Sequence, residues 1–195
     1  LIRKAFRCAF PNRPFQDNWH IESIGYHLQM VVEGKLSRLM ISVPPRSLKS
    51  FITSVVLPLF IIGNDPTKTV LVVSHSLDLA TKLSNQFRQL ISHPEIQEIF
   101  PAFSGALSKD SEREITTLQG GGRIAASVDS NVTGRGGDVI IIDDPLDASD
   151  ADNELACNNV NKWLDETLST RTNDPATTPI VLVMQRLSIF DPVAH

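Results

Sequence analysis

A chain of 195 residues, 42% hydrophobic and 21% charged, has the composition of an ordinary folded domain, which excludes a disordered segment. Its formal net charge of −4 argues against a domain whose whole surface grips nucleic acid. Two cysteines, Cys8 and Cys157, exclude a disulfide scaffold and lack metal-ligand spacing, so both read as structural thiols in a reducing compartment.

The spacing of apolar residues predicts alternating helices and strands. Trp19 to Val32 places Ile21, Ile24, Leu28 and Val31 three or four apart, an amphipathic helix. Arg38 to Val43 is a short buried strand stopped by Pro44-Pro45, because proline cannot donate to a ladder. Lys49 to Ile62 is a mostly apolar helix ended by Gly63-Asn-Asp-Pro66. Thr69 to Ser74 is the next buried strand, and Leu77 to Ile91 a helix with Leu79, Leu83, Phe87 and Leu90 on one face. Arg113 to Leu118 and Arg123 to Val128, joined by Gly120-Gly-Gly122, form a hairpin. Asp138 to Asp143 is the strongest buried-strand signal, Asp152 to Thr172 a helix with Val160, Trp163, Leu164 and Leu168 inward, and Pro179 to Met184 the last strand.

Continuous apolar strands separated by helices mean an α/β fold, a mainly parallel sheet flanked by helices on both faces. Ligands of such folds bind outside the carboxyl ends of the strands. Chemistry is therefore expected at Pro44 to Ser50, Ser74 to Ser76, Asp143-Asp144 and Gln185-Arg186. Residues 1–49 carry eight Lys/Arg against three Asp/Glu, and the remainder ten against nineteen. That asymmetry is compatible with a one-sided polyanion contact or with unbiased scatter. No apolar run approaches the roughly 18 residues of a membrane span, and no signal peptide is visible. The chain starts at Leu1 and stops at His195 directly after a structured-looking run, the pattern expected of a fragment.

Val43-Pro-Pro-Arg-Ser-Leu-Lys-Ser50 follows a strand and opens a helix. A phosphate-binding loop needs backbone N–H groups at a helix N-terminus, a Lys for the terminal phosphates and a hydroxyl for Mg²⁺. Lys49 and Ser50 suit the last two tasks. The usual glycines are replaced by Val43 and Leu48, and since Leu48 resists a positive φ the loop is expected to close with other geometry. The strand Val139 to Asp143 ends in the acids Asp143-Asp144-Pro145. Asp143 would hold the metal and Asp144 would polarise the attacking water, a task commonly given to Glu; a helix cap or loop entry is the other reading of such a run.

Taken together, these segments resemble the ATPase domain of the large terminase subunit of tailed bacteriophages, the DNA-packaging motor. Pro44-Pro-Arg-Ser-Leu-Lys-Ser50 is similar to that family's variant phosphate loop, and Thr133-Gly-Arg-Gly-Gly-Asp138 running into Ile141-Ile-Asp-Asp-Pro145 to its acidic-strand signature. Trp19-His20-Ile21 and Val73-Ser-His-Ser76 resemble its flanking segments, and Val183-Met-Gln-Arg-Leu187 with Asp191-Pro192 its coupling motif. The ordered set covers the chain from about Phe15 to His195. The resemblance implies a P-loop NTPase of the RecA-like, additional-strand type, with residues 1–195 a single ATPase domain: a helical segment 1–35 and a core 36–195. It implies ATP and Mg²⁺ as cofactors, with Pro45, Arg46, Ser47, Leu48, Lys49, Ser50 and Phe51 around the phosphates and Ser50 and Asp143 on the metal. Lys49, Asp144, Arg46, Arg135 and Gln185 are implied as catalytic: Arg46 on phosphate within the subunit, Arg135 as an arginine finger offered to a neighbour, and Gln185 as the γ-phosphate sensor. Trp19 and His20 are placed near the adenine. A solvated turn is the alternative for Arg135, a backbone hydrogen bond for Gln185, and helix packing for Trp19-His20.

The implied partners are double-stranded DNA, the portal protein, the small terminase subunit and further copies of the chain in a ring on the capsid, with a monomer in isolation also compatible. No membrane is expected, and the setting is the cytoplasm of the bacterial host. A nuclease domain normally follows in the family, and its carboxylate cluster is not in these residues. Two other readings stay open. A helicase-like DNA-dependent ATPase also couples a phosphate loop to an acidic strand, and a nucleotide-binding module with little or no hydrolysis would suit Leu48 and Asp144.

Overall fold

Each apolar run predicted as a strand is one in the computed structural model, which describes residues 1–128, 130, 136–167, 171–174 and 176–195. Helices α1 (Ile2–Ala9) and α2 (Trp19–Val32) lead into strand β1 (Arg38–Ser42). Helix α3 (Lys49–Phe51) passes through a π-helical turn (Ile52–Val56) into α4 (Leu57–Asn64). Strand β2 (Thr69–Ser74), α5 (Leu77–Ile91) and the short α6 (Pro94–Ile99) follow. Strands β3 (Lys109–Asp110), β4 (Glu114–Thr116), β5 (Gly122–Ser127) and β6 (Val139–Asp143), then α7 (Glu154–Thr167) and β7 (Ile180–Met184), complete the chain.

Among the described residues seven strands form one sheet, in the order β1-β7-β6-β2-β5-β4-β3. β1, β7, β6, β2 and β5 are parallel, while β4 and β3 turn back antiparallel at one edge. The last strand in sequence, β7, lies between β1 and β6, with Ser42 opposite Met184 and Asp143 opposite Val183. This insertion brings the ends of β1, β7 and β6 side by side at one sheet edge.

Alternation along the strands divides the core between the two faces, as a period of two requires. Val70, Val72, Val139, Ile141, Val181 and Val183 join the larger cluster, which includes residues of α1 to α6. Leu71, Val73, Ile140, Ile142 and Leu182 join a smaller cluster with Cys157, Val160 and Leu164 of α7. Each such buried side chain contributes roughly 1.5–3 kcal/mol relative to exposure. The strand ends at the site are thereby anchored from both sides.

Three local predictions differ from the structure. The helix expected over residues 152–172 begins at Glu154, because Asn153 Oδ1 accepts the Ala156 N–H at 3.2 Å as an N-cap does. Its far end falls short as well, since Thr172 bridges in parallel to Gly137. The helix expected from Lys49 to Ile62 reaches Asn64 and contains the π-turn. Pro58 has no N–H for the Ser54 carbonyl four residues earlier, so the regular ladder fails there. No helix among the described residues is long and apolar enough to cross a membrane.

Candidate nucleotide site at the carboxyl edge of the sheet

The loop after β1 is tied to the neighbouring strand where the Val43 N–H meets the Met184 carbonyl at 3.3 Å. Ser47 Oγ donates back to the Pro44 carbonyl at 2.7 Å, closing a tight turn. Arg46 and Leu48 both have φ of 63°. Leu48 therefore adopts the left-handed conformation that the missing glycine would supply, and the expectation that the loop avoids it is corrected. Its side chain packs on the larger core cluster, and that burial offsets the roughly 1–2 kcal/mol cost of a left-handed L-residue. The helix then starts at Lys49, with the Ile52 N–H on the Leu48 carbonyl at 2.9 Å.

The residues predicted from strand ends come together. Lys49, 6% exposed, donates from Nζ to both carboxylate oxygens of Asp144 at 2.5 and 2.7 Å. Ser50 Oγ donates to Asp143 Oδ1 at 2.8 Å, and Ser54 Oγ to Asp143 Oδ2 at 2.6 Å. The two adjacent acids thus face different partners, Asp143 the helix hydroxyls and Asp144 the lysine. Asp144 has a positive φ of 46°, and its N–H bonds the Val183 carbonyl at 2.9 Å. Burial pushes the Asp143 carboxyl up to about 6, with the Asp144 charge adding, against the hydroxyls of Ser54 and Ser50 and the charge of Lys49.

Sequence reasoning missed three neighbours of this centre. Ser54 stands four residues after Ser50 on one helix face, a spacing that could have revealed it. His75 lies in a segment picked out by its place after β2 and by its likeness to a flanking segment of the family, with no role given to the imidazole. Its Nδ1 is 2.9 Å from the Asp144 carbonyl, which can only accept, and its Nε2 is 3.4 Å from Asp147. Arg123, fully buried in β5, donates from Nε to the Ser54 carbonyl at 3.2 Å, and no local signal marks it.

Other predicted residues sit further out. Pro45 and Arg46 are exposed, Ser47 half-buried, and Gln185 half-buried one residue beyond β7. His20 Nε2 reaches the Ser47 carbonyl at 3.2 Å, linking α2 to the loop, while Trp19 is 77% exposed. Both line a cavity of about 210 Å³ with His27, Met40 and Val43. The Phe51 ring belongs to the core, 6.1 Å from Phe6 and 5.4 Å from Phe10 between centroids. Arg135 lies outside the described residues. Of the basic N-terminal side chains, Arg3, Lys4, Lys35 and Lys49 each face a carboxylate. Cys8 approaches His93 and Glu95 with ligand atoms within 4.8 Å. There Glu95 is already paired with Lys4, and His93 Nδ1 already accepts the Glu95 N–H at 3.3 Å.

A Lys-Ser pair opening a helix after one strand, two acids ending another, and a third strand inserted between them define a P-loop nucleoside triphosphatase of the additional-strand class. Residues 40–188 match the family model described as terminase large subunit, T4likevirus-type, N-terminal. The chain belongs to that family, and so is the ATPase-type domain of a phage DNA-packaging motor. Two solved structures of the Thermus phage P74-26 large terminase ATPase domain share the fold. A mutant form matches with a TM-score of 0.54 at 14% identity, over 92% of this chain and 68% of that one. Another structure of the domain matches with a TM-score of 0.52 at 16% identity, over 89% and 71%. No curated protein matches the chain.

Proposed function

We propose that residues 1–195 form a single ATPase domain, a helical segment 1–35 on a core 36–195, which hydrolyses ATP to drive double-stranded DNA into a phage procapsid. The observation that carries this reading is the Lys49–Asp144 pair beside the Ser50–Asp143 bond, four groups from two sheet-edge segments in one contact set. Hydroxyl and carboxylate oxygens are the hard donors that Mg²⁺ takes, so Ser50 and Asp143 fit as its protein ligands. When bound, Mg²⁺ would supply positive charge to the transferring phosphoryl group.

The chain's own residues perform the remaining work. Lys49 holds its ammonium on Asp144, and a phosphate competing for that ammonium sets the Asp144 carboxylate free to orient water. Backbone N–H groups at the start of the Lys49 helix cradle phosphate oxygens, with Pro45, Arg46, Ser47, Leu48 and Phe51 completing the loop. Arg46 adds charge from within the subunit, and Arg135 from a neighbouring copy. Gln185, at the end of the strand between loop and acids, senses the γ-phosphate and couples turnover to movement. Trp19 and His20 flank the base. The partners are double-stranded DNA, the portal protein, the small terminase subunit and further copies of the chain in a ring, in the cytoplasm of the bacterial host. Because Leu48 takes the glycine-like conformation, one ground for a non-hydrolysing module is gone.

Phosphate release by the parent and by Lys49→Ala tests the reading. The variant is expected to lose turnover by about 10²-fold or more. Equal release by both proteins would sink it.

A further inference from the structure

Arg123 is a buried charge to which the nucleotide site gives no direct task. It is fully buried, and its guanidinium carbon lies 6.0 Å from the Phe87 ring centre. Among the described residues neither terminal nitrogen has a hydrogen-bond partner, and the group's hydrogen bond there runs from Nε to the Ser54 carbonyl. Burial pushes the guanidinium down to about 9, and the charge of Asp143 pulls the other way.

That carbonyl is a special one. In a regular helix it would accept from the residue four positions on, which is Pro58 and has no N–H. The backbone widens around it, and the Leu57 N–H reaches back five residues to the Ile52 carbonyl. Arg123 supplies the missing donor from a strand 69 residues away in sequence. The same Ser54 gives its hydroxyl to Asp143 Oδ2, so one residue joins the buried cation to the acid through two of its groups.

We propose that Arg123 is a positioning residue for the divalent-cation half of the site: by holding the Ser54 carbonyl it fixes the Ser54 hydroxyl on Asp143 and so aims that carboxylate. The inference rests on the reading that Ser50 and Asp143 hold Mg²⁺. Groups that orient metal ligands from behind change metal affinity about 10–100-fold when removed. Replacing Arg123 by an apolar side chain of similar length relieves the cost of burying its unpaired terminal nitrogens and takes one donor from the Ser54 carbonyl, two changes of opposite sign in stability. A positioning role and a purely structural one therefore part company in Arg123→Met.

The test titrates a fluorescent ATP analogue against the 195-residue chain with and without Mg²⁺, alongside thermal unfolding. In Arg123→Met the Mg²⁺ needed for half-maximal binding is expected to rise about tenfold or more. Binding without Mg²⁺ and Tm should hold, and Arg123→Lys, which keeps a charge and a donor, should recover most of the loss. Ser54→Ala, which removes only the hydroxyl, is expected to raise the Mg²⁺ requirement in the same way and serves if Arg123→Met does not fold. A parental Mg²⁺ requirement in Arg123→Met or Ser54→Ala overturns the inference. So does an Arg123→Lys as impaired as Arg123→Met, or a loss of Mg²⁺-free binding and Tm in step with the Mg²⁺ effect. A parent chain whose nucleotide binding ignores Mg²⁺ overturns the site reading itself, and this inference with it.

Discussion

Among the described residues two aspartates are sealed from solvent, Asp143 at the end of β6 and Asp191 in the turn after β7, and both are 0% exposed. Their surroundings drive them in opposite directions. Asp191 accepts backbone N–H groups from Leu187 at 2.6 Å, Ser188 at 3.1 Å, Val193 at 3.1 Å and Ala194 at 3.0 Å, with Arg186 Nε at 3.2 Å. Burial pushes its carboxyl up, but the N–H donors of Leu187, Ser188 and Ala194 and the charge of Arg186 carry it below the ordinary carboxylate range. At Asp143 burial, with the Asp144 charge adding, outweighs the hydroxyls of Ser54 and Ser50 and the charge of Lys49, and its carboxyl rises to about 6. Burial alone does not decide what an acid is for. Asp191 is a finished structural knot, whereas Asp143 has too little positive partnership and is suited to receive a cation.

The largest expected effect breaks the first half of that comparison. Asp143→Asn should lower Mg²⁺-dependent turnover by about 10²-fold or more while raising stability at pH 7, since the cost of holding a buried charge is removed. Phosphate release and urea denaturation read the two quantities separately. Asp191→Asn should do the reverse, costing ~1–3 kcal/mol through a weakened set of backbone bonds with little change in turnover per folded molecule. The pH profiles should also oppose each other. Between about pH 4 and 6 the folded chain holds a proton on Asp143 that the unfolded chain has released, so stability falls as pH rises through that window. Asp191 contributes fully above about pH 4, and its contribution is lost as pH falls through its depressed folded value. Denaturation midpoints across pH 2–7 should flatten above about pH 4 in Asp143→Asn and below it in Asp191→Asn.

The same contrast separates what was legible in the sequence from what was not. Asp143 was readable because a five-residue apolar strand ending in acids has few alternatives in a parallel sheet, and Lys49 and Ser50 because they open a helix after a strand. Asp191 was visible only as part of a motif, since its donors all come from a turn that exists once the acid is buried. The π-turn depends on Pro58 locally but on Arg123 for its rescue, and sequence spacing does not report a contact between a helix and a strand 69 residues apart. Helix α6, six residues long, is too short for periodicity to register. Leu48 departs from its expected conformation for the opposite reason: its local preference is clear, and long-range packing overrides it.

Leu48 also shows that strain follows the same division. Among the described residues, positive φ falls on three non-glycines, Arg46, Leu48 and Asp144, all at the candidate nucleotide site, whereas the turns at Gly34 and Gly120 use glycine. Backbone cost of this kind is kept where geometry serves chemistry. Leu48 adds a test, because its side chain and its backbone make separable contributions. Leu48→Ala removes packing on the core and leaves a Cβ in the left-handed region; Leu48→Gly removes the same packing and the conflict together. Glycine, ordinarily the weaker helix residue, should therefore be the more stable of the two by about 1 kcal/mol, read as a difference in denaturation midpoints at equal slope. If alanine proves the more stable, Leu48 is not left-handed in solution, and the loop closes by another path.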